Sequence, residues 1–348
     1  MKAITFQGIK CVQLSEVPEP EIISKKDAIV KIERAAICGS DMHVYHGRET
    51  GIDPGTIMGH EFTGTVVDTG VEVSKFKVGD RVLSPFTVNC GECHFCEIGL
   101  TARCVKSQLY GWKESGVGLE GVHAEYLRVP MADATLVHLP DDFSWEQGNL
   151  LADIASTGYF GAELAELKSK DTCVVIGCGP VGIMAIKAAK YFGCKEIVAV
   201  DGIDFRLEFA EQNGAIPVNY LRQNIVEKIL ERTNRIGADS VIEAVGSKSS
   251  MKTAFDILRP GGILASVGVQ AFDQLPFSPS DMYDKNIILK AGRCSSRFYA
   301  EKLIPLVQNG EIQLTDVISH TFDLKDGVEA YRFFDEEKDK CLKVLLRP

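Results

Sequence analysis

Short apolar runs broken by turn residues dominate the first 150 positions of the chain. Ala28–Ala36, Phe62–Asp68 and Arg81–Leu83 carry β-branched residues between turn signals such as Asp53-Pro54-Gly55 and Val78-Gly79-Asp80, a pattern that predicts strands. This part is expected to be mainly β. The rhythm changes near residue 170, where apolar runs at Thr172–Ile176, Ile197–Val200, Ser240–Ala244 and Ile263–Val267 alternate with helical stretches Val181–Phe192, Phe205–Gln212, Asn224–Thr233 and Ser250–Leu258. Strand and helix in alternation predict an α/β arrangement, a parallel sheet with helices on both faces. A further strand is expected at Ile287–Lys290, after the Pro-containing stretch Leu275–Pro279. The ending Cys341–Leu346 is expected to return as a strand to the first part.

Length supports two domains, because 348 residues exceed the size at which one hydrophobic core stops growing. The net charge of −10, from 48 acids against 38 bases, argues against a nucleic-acid partner. No apolar run approaches the roughly 20 residues that span a bilayer, and Met1-Lys2-Ala3-Ile4-Thr5-Phe6 lacks a signal-peptide core, so no membrane association is expected. Cysteines scattered at 11, 173, 178, 194, 294 and 341 suit a reducing compartment, and the expected location is cytoplasmic.

Four further cysteines change the picture. Cys90, Cys93, Cys96 and Cys104 have the short steps and single loop that wrap thiolates tetrahedrally around zinc. An iron–sulfur run would place its fourth cysteine about three residues on, followed by proline. Here seven residues intervene and Val105 follows. Four sulfurs leave no open position for substrate, so this metal would hold a loop in shape.

A second motif follows the strand Thr172–Ile176, where Gly177-Cys178-Gly179-Pro180-Val181-Gly182 opens straight into a helix. Gly177 permits the turn, Gly179 lets backbone approach a pyrophosphate, and Gly182 lets helix and strand pack closely. The helix N-terminus then faces the anion. The next strand ends at Asp201, whose carboxylate suits the ribose hydroxyls of NAD and opposes the 2′-phosphate of NADP. Arg206 lies close enough in sequence to meet a phosphate or to flank the adenine.

The remaining loaded stretches are Cys38-Gly39-Ser40-Asp41-Met42-His43 and Gly59-His60-Glu61. Cys38 ends one predicted strand and His60 starts another, where rigid elements can present metal ligands. A catalytic zinc needs three protein ligands and one open position. Spacing leaves the third open between Glu61 and Asp153, the latter in Leu150-Leu151-Ala152-Asp153-Ile154-Ala155-Ser156-Thr157-Gly158. A lone cysteine or histidine is ordinarily a core residue, and His46, His94 and His123 are read that way.

Taken together, the Cys38–His43 run, Gly59-His60-Glu61, the four-cysteine lobe, Thr157-Gly158 and Gly177–Gly182 resemble the zinc-containing medium-chain alcohol dehydrogenases over almost the whole chain. The resemblance implies a GroES-like, mainly β catalytic domain over 1–152, completed by 292–348, joined to a Rossmann NAD-binding domain over 153–291. It implies two zinc ions per subunit. In the secondary-alcohol branch the catalytic ion is held by Cys, His and an Asp just before Thr-Gly, which points to Cys38, His60 and Asp153, with Glu61 as an alternate ligand. It also implies that Ser40 takes the alcohol proton and relays it through the nicotinamide ribose to His43, while Asp41 orients His60. A homodimer or homotetramer is expected by the same resemblance, with a small-molecule alcohol or carbonyl as substrate.

Within that class, secondary alcohols, diols and polyols are favoured. Formaldehyde-dehydrogenase-like and threonine-dehydrogenase-like activities are the alternatives. A cofactor-retaining dismutase would need loops for which the chain leaves little room. A non-enzymatic binding protein on the same fold predicts loss of Cys38 or His60, and both are present. Phe86, Tyr110 and Trp112 are candidates for the substrate wall.

Overall fold

The apolar runs assemble into two large sheets, one in each of two units, and two small two-stranded sheets accompany them in the first. A computed structural model describes residues 1–270 and 272–348 of the protein. Its internal contacts divide the chain into Met1–Asp153 with Ser295–Gln308 and Leu314–Pro348, and Ile154–Cys294 with Asn309–Gln313. The division thus falls after Asp153, and the return to the first unit comes at Ser295. Residues 309–313 group with the second unit, where Gln313 accepts a hydrogen bond from Lys187.

The first unit is built on a seven-stranded sheet in the order Ile318–Asp323, Lys343–Arg347, Ala28–Ile37, Glu61–Thr69, Arg81–Ser84, Val137–His138, with Tyr126–Val129 also pairing with Ala28–Ile37. The C-terminal segment returns as expected, antiparallel to Ala28–Ile37. Val30, Ile32, Phe62, Val66, Val82 and Leu346 fill the core beneath. Register decides what happens at one end of this sheet. Ala36 pairs with Glu61 and Ile37 with Val344, so the exit of one strand and the starts of two others lie side by side.

A helix at Trp145–Ala152 covers that end, and the sequence reading placed none there. Its signal is a capping box, in which Ser144 accepts from the Gln147 amide and Gln147 accepts from the Ser144 amide. Gly148 lets it approach closely, since a Cβ there would sit 2.7 Å from Thr63 Cγ2. Asn149 then donates to the carbonyl of Glu61 at 3.1 Å, tying the helix to the sheet. The helix stops at Asp153, its C-cap residue.

The second unit carries six parallel strands in the order Ile216–Asn219, Glu196–Asp201, Thr172–Ile176, Ala238–Glu243, Leu258–Ser266, Ile288–Ala291. The predicted strands and helices of this half are present, most of them with ends within two residues. Ile216–Asn219 escaped the sequence reading because it is four residues long with Pro217 inside it. An edge position tolerates that proline, whose missing N–H leaves no ladder partner unsatisfied on the open side. Among the described residues no helix is long and apolar enough to cross a membrane.

Candidate active site

Strand register brings the chemistry of the first unit together. Cys38 follows the strand Ala28–Ile37, Glu61 opens the neighbouring strand directly after His60, and Asp153 arrives at the end of the tethered helix. One ligand atom from each of Cys38, His60, Glu61 and Asp153 lies within 4.8 Å of the others. Asp153 Oδ2 sits 3.5 Å from His60 Nε2 and 3.8 Å from Cys38 Sγ. Ser40 Oγ lies 3.3 Å from the same His60 nitrogen.

The other face of the imidazole is committed. His60 Nδ1 is 3.2 Å from Asp41 Oδ1, and Asp41 Oδ2 accepts the Cys38 backbone amide at 2.8 Å. Asp41 therefore steers both the imidazole and the chain that carries the thiol. Burial alone would depress the His60 imidazole, yet Asp41, then Asp153 and Cys38, outweigh it and hold the ring well above its ordinary value. Burial would raise Asp41, and the facing imidazole reverses that, leaving the carboxyl below its usual range.

Lys343 is the site residue that motif reading missed. It is fully buried, 2.7 Å from both carboxylate oxygens of Glu61, and it also donates to the Ile37 carbonyl at 3.2 Å. Burial would lower the lysine, but Glu61 more than offsets this and its ammonium is held above its ordinary value. A lysine inside the apolar run Cys341-Leu342-Lys343-Val344-Leu345-Leu346 was the available signal, because a buried lysine demands a partner.

The donor set fits zinc. Burial, then Glu61, pushes the Cys38 thiol up. Asp41, Glu61 and Asp153 face one ammonium and one imidazole, so the buried cluster lacks positive charge that a divalent cation would supply. With Nδ1 turned to Asp41, Nε2 is left for a metal. Cysteine, histidine and carboxylate around an open position are the ligands of a catalytic zinc.

The four-cysteine lobe has different chemistry. The sulfurs of Cys90, Cys93, Cys96 and Cys104 lie within 4.8 Å of one another, with Cys93 and Cys96 3.6 Å apart. Backbone amides point at them, from Cys90 at 3.2 Å and Lys106 at 3.3 Å to Cys104. The Val105 amide and then that of Cys96 draw the Cys93 thiol down to about 6, whereas burial pushes Cys96 up to about 12. Four sulfurs facing inward fit a closed tetrahedral ion.

In the second unit Gly177 has φ +90°, a left-handed conformation that favours glycine, and a Cβ on Gly182 would lie 1.8 Å from the Gly177 carbonyl. A Cβ on Gly179 meets nothing within 4 Å, so the turn is open where a phosphate would approach, and Pro180 and Val181 begin the helix. Asp201 is anchored rather than free. Its Oδ2 accepts the Cys178 amide at 2.8 Å and its Oδ1 those of Gly202 and Ile203 at 2.7 and 3.0 Å. Arg206 Nη1 lies 4.0 Å from it, and Arg206 Nε is buried without a hydrogen-bond partner among the described residues.

Comparison with known proteins agrees with both halves. Residues 24–141 match the alcohol dehydrogenase GroES-like domain, and residues 180–309 match the zinc-binding dehydrogenase family. The chain belongs to the zinc-dependent medium-chain dehydrogenases/reductases. It is 39% identical to zinc-type alcohol dehydrogenase B of Aspergillus flavus over 97% of this chain and 79% of that protein. The solved alcohol dehydrogenase of Thermus sp. ATN1 superposes with a TM-score of 0.94 at 36% identity, covering 100% of this chain and 99% of that one. The NADP-dependent isopropanol dehydrogenase of Clostridium beijerinckii is 32% identical over 98% of each chain.

Not every candidate of this dehydrogenase joins the cluster. Phe86 does, its ring edge-on to His60 at 6.3 Å between centroids. Tyr110 does not, because it is buried in the core edge-on to Phe62 and within 3.4 Å of Ser84 Oγ. Trp112 packs half-buried against the same core. His43 is half-buried on the short helix Asp41–Tyr45, and its Nδ1 is shielded from solvent with no hydrogen-bond partner among the described residues. His123 is structural: its Nε2 donates to the Ala36 carbonyl and its Nδ1 accepts the Tyr331 hydroxyl, both at 3.0 Å.

Proposed function

We propose that this dehydrogenase oxidises secondary alcohols, diols or polyols to the ketone or aldehyde with NAD, and reduces the carbonyl in the reverse direction. The convergence of Cys38, His60, Glu61 and Asp153 carries this reading. Cys38, His60 and Asp153 would hold the catalytic zinc, with Glu61 as the alternate ligand kept close by Lys343. Cys90, Cys93, Cys96 and Cys104 would hold a second ion. Zinc, when bound, supplies the Lewis acidity that makes a hydroxyl acidic near neutral pH. The nicotinamide supplies the hydride acceptor.

The chain's own residues do the rest. Ser40, beside His60, accepts the substrate hydroxyl proton at Oγ as it passes its own hydroxyl proton onward. His43 continues the relay, and burial depresses its imidazole so that the ring is neutral and able to accept a proton at working pH. Asp41 keeps His60 in the tautomer that leaves Nε2 available. Phe86 forms an apolar wall beside the site.

A secondary alcohol is favoured because Asp153, just before Thr157-Gly158, supplies the carboxylate ligand, and isopropanol, the substrate named for one relative, is a secondary alcohol. Asp201 favours NAD. Arg206 Nε, buried with no partner among the described residues, favours a second reading, NADP, the cofactor named for that same relative. The deciding experiment is turnover of secondary alcohols, 2,3-diols, polyols, threonine and formaldehyde with each cofactor, alongside elemental analysis. Two zinc ions per subunit, turnover fastest on a secondary alcohol or diol, and a preference for NAD that relaxes in Asp201→Gly would support the reading. One zinc that survives Cys38→Ser would remove the catalytic site, and NADP preference in the wild type would replace the cofactor.

A further inference from the structure

Glu243 belongs to no motif, yet its carboxylate accepts five hydrogen bonds. It closes the strand Ala238–Glu243 and is fully buried. Its Oε1 accepts the backbone amides of Val245 and Gly246 at 2.9 and 2.8 Å and the Ser250 hydroxyl at 2.7 Å. Its Oε2 accepts the Ser266 hydroxyl and the Gln270 amide, both at 3.0 Å. The Glu243 carbonyl also takes the amides of Val267 and Gly268. A carboxylate removed from water and met by five hydrogen bonds, two from backbone amides and three from side chains, is a rigid junction, because no water replaces a donor that is lost.

The junction fastens two loops, 244–246 and 266–270, at the carboxyl ends of adjacent parallel strands. The loops touch: a Cβ on Gly246 would lie 2.0 Å from the Val269 carbonyl, and one on Gly268 2.3 Å from the Gly246 nitrogen. Each exposes one valine, Val245 at 45% and Val269 at 42%. Val245 also borders the dinucleotide turn, since a Cβ on Gly177 would fall 2.5 Å from its Cγ2. Two exposed apolar side chains held on such fixed loops need a reason.

Strand order supplies one. From Thr172–Ile176 the sheet runs one way to Glu196–Asp201 and Ile216–Asn219 and the other way to Ala238–Glu243 and Leu258–Ser266. A dinucleotide straddles the point where the order reverses. With its adenosine ribose at Asp201, its other nucleotide must extend over 244–246 and 266–270.

We infer that Glu243 is a positioning residue for the nicotinamide half of the cofactor, locking loops 244–246 and 266–270 so that Val245 and Val269 form a fixed apolar floor beneath it. This rests on the proposed use of a nicotinamide dinucleotide. The competing role is general support of the domain, and the two predict different ligand selectivity.

Glu243→Gln separates them. Its amide oxygen can still accept from Val245, Gly246 and Ser250, whereas its amide nitrogen would face the Gln270 donor. The double variant Glu243→Gln/Gln270→Glu restores a donor facing an acceptor. NADH binding is read by fluorescence titration and ADP binding by calorimetry. Glu243→Gln should weaken NADH about 10- to 100-fold, as expected for losing a hydrogen bond to a buried charge, and leave ADP within about twofold. The double variant should recover about tenfold of that loss. If Glu243→Gln does not fold, Gln270→Leu, which removes one donor, should show the same split at about tenfold. NADH affinity unchanged in both variants, or ADP falling in parallel with NADH, overturns the assignment. Wild-type protein that binds ADP but neither NADH nor NADPH overturns the cofactor reading and this assignment with it.

Discussion

The two metal-capable clusters of the first unit are made in opposite ways. Cys90, Cys93, Cys96 and Cys104 come from fifteen consecutive residues, lie in a lobe that is mostly half-exposed, and are alike in chemistry. Cys38, His60, Glu61 and Asp153 come from three separate segments, are largely buried, and are embedded among Asp41, Ser40 and Lys343. The local cluster has nothing but sulfur to offer an ion, and four sulfurs close the shell. The assembled cluster mixes ligand types and surrounds them with groups that move or hold charge. A site that holds shape can be written into one loop, while a site that does chemistry needs several rigid elements to converge.

That contrast is most directly broken at the assembled cluster. Replacing Cys38 by Ser or Asp153 by Asn should lower kcat/KM on the order of 10³-fold or more, matching several kcal/mol of lost charge stabilisation, while NADH binding stays within about twofold. Steady-state kinetics and NADH titration check both halves; loss of NADH binding in parallel would mean that these residues support the fold rather than the reaction. Next in size is Lys343→Met, which leaves Glu61 buried without its ammonium and should cost about 3–5 kcal/mol in urea unfolding. Adding Glu61→Gln should return most of that stability, because a neutral amide no longer needs a counter-charge. An unchanged unfolding midpoint in Lys343→Met would show that the pair carries no net burden on the fold.

How much was legible follows the same division. The lobe, the turn Gly177–Gly182 and the alternating half were readable because each is a pattern in consecutive residues, and the parallel sheet formed where apolar runs predicted it. The assembled site was readable only as scattered ligands, and the resemblance, not spacing, pointed to Asp153. Its geometry depends on long-range facts: the pairing of Ala36 with Glu61, the return of Val344 to Ile37, and the Asn149 tether. Lys343 was missed for that reason, since its partner lies 282 positions away. Tyr110 was misjudged in the other direction, because an aromatic beside a glycine-rich stretch looks like a wall until packing places it in the core.

The local cluster gives the smaller effects. Cys96→Ser should cost about 2 kcal/mol, seen as a Tm lowered by several degrees, with kcat at 25 °C within about threefold of wild type. A rate loss as deep as that of Cys38→Ser, at unchanged Tm, would erase the distinction between a shape-holding and a reacting ion.

Smallest is the effect of a histidine that sequence reading left as structural. His123 stands behind the reactive cluster, and burial favours its neutral form, in which Nε2 donates to the Ala36 carbonyl and Nδ1 accepts the Tyr331 hydroxyl. Burial depresses its pKa below the ordinary 6.5, so the folded state binds fewer protons than the unfolded chain between that lowered value and 6.5. Its contribution to stability is therefore complete above about pH 6.5 and is lost as the pH falls through that window. Tyr331→Phe removes the hydroxyl, orphans the buried nitrogen and should cost about 1–2 kcal/mol at pH 8. Because Nδ1 then has no donor to lose on protonation, the slope of stability against pH between 5 and 6.5 should also become shallower than in the wild type. Urea unfolding at half-unit pH steps measures both, and an identical slope in Tyr331→Phe would assign the acid sensitivity to other groups, beginning with His43, which burial depresses in the same way.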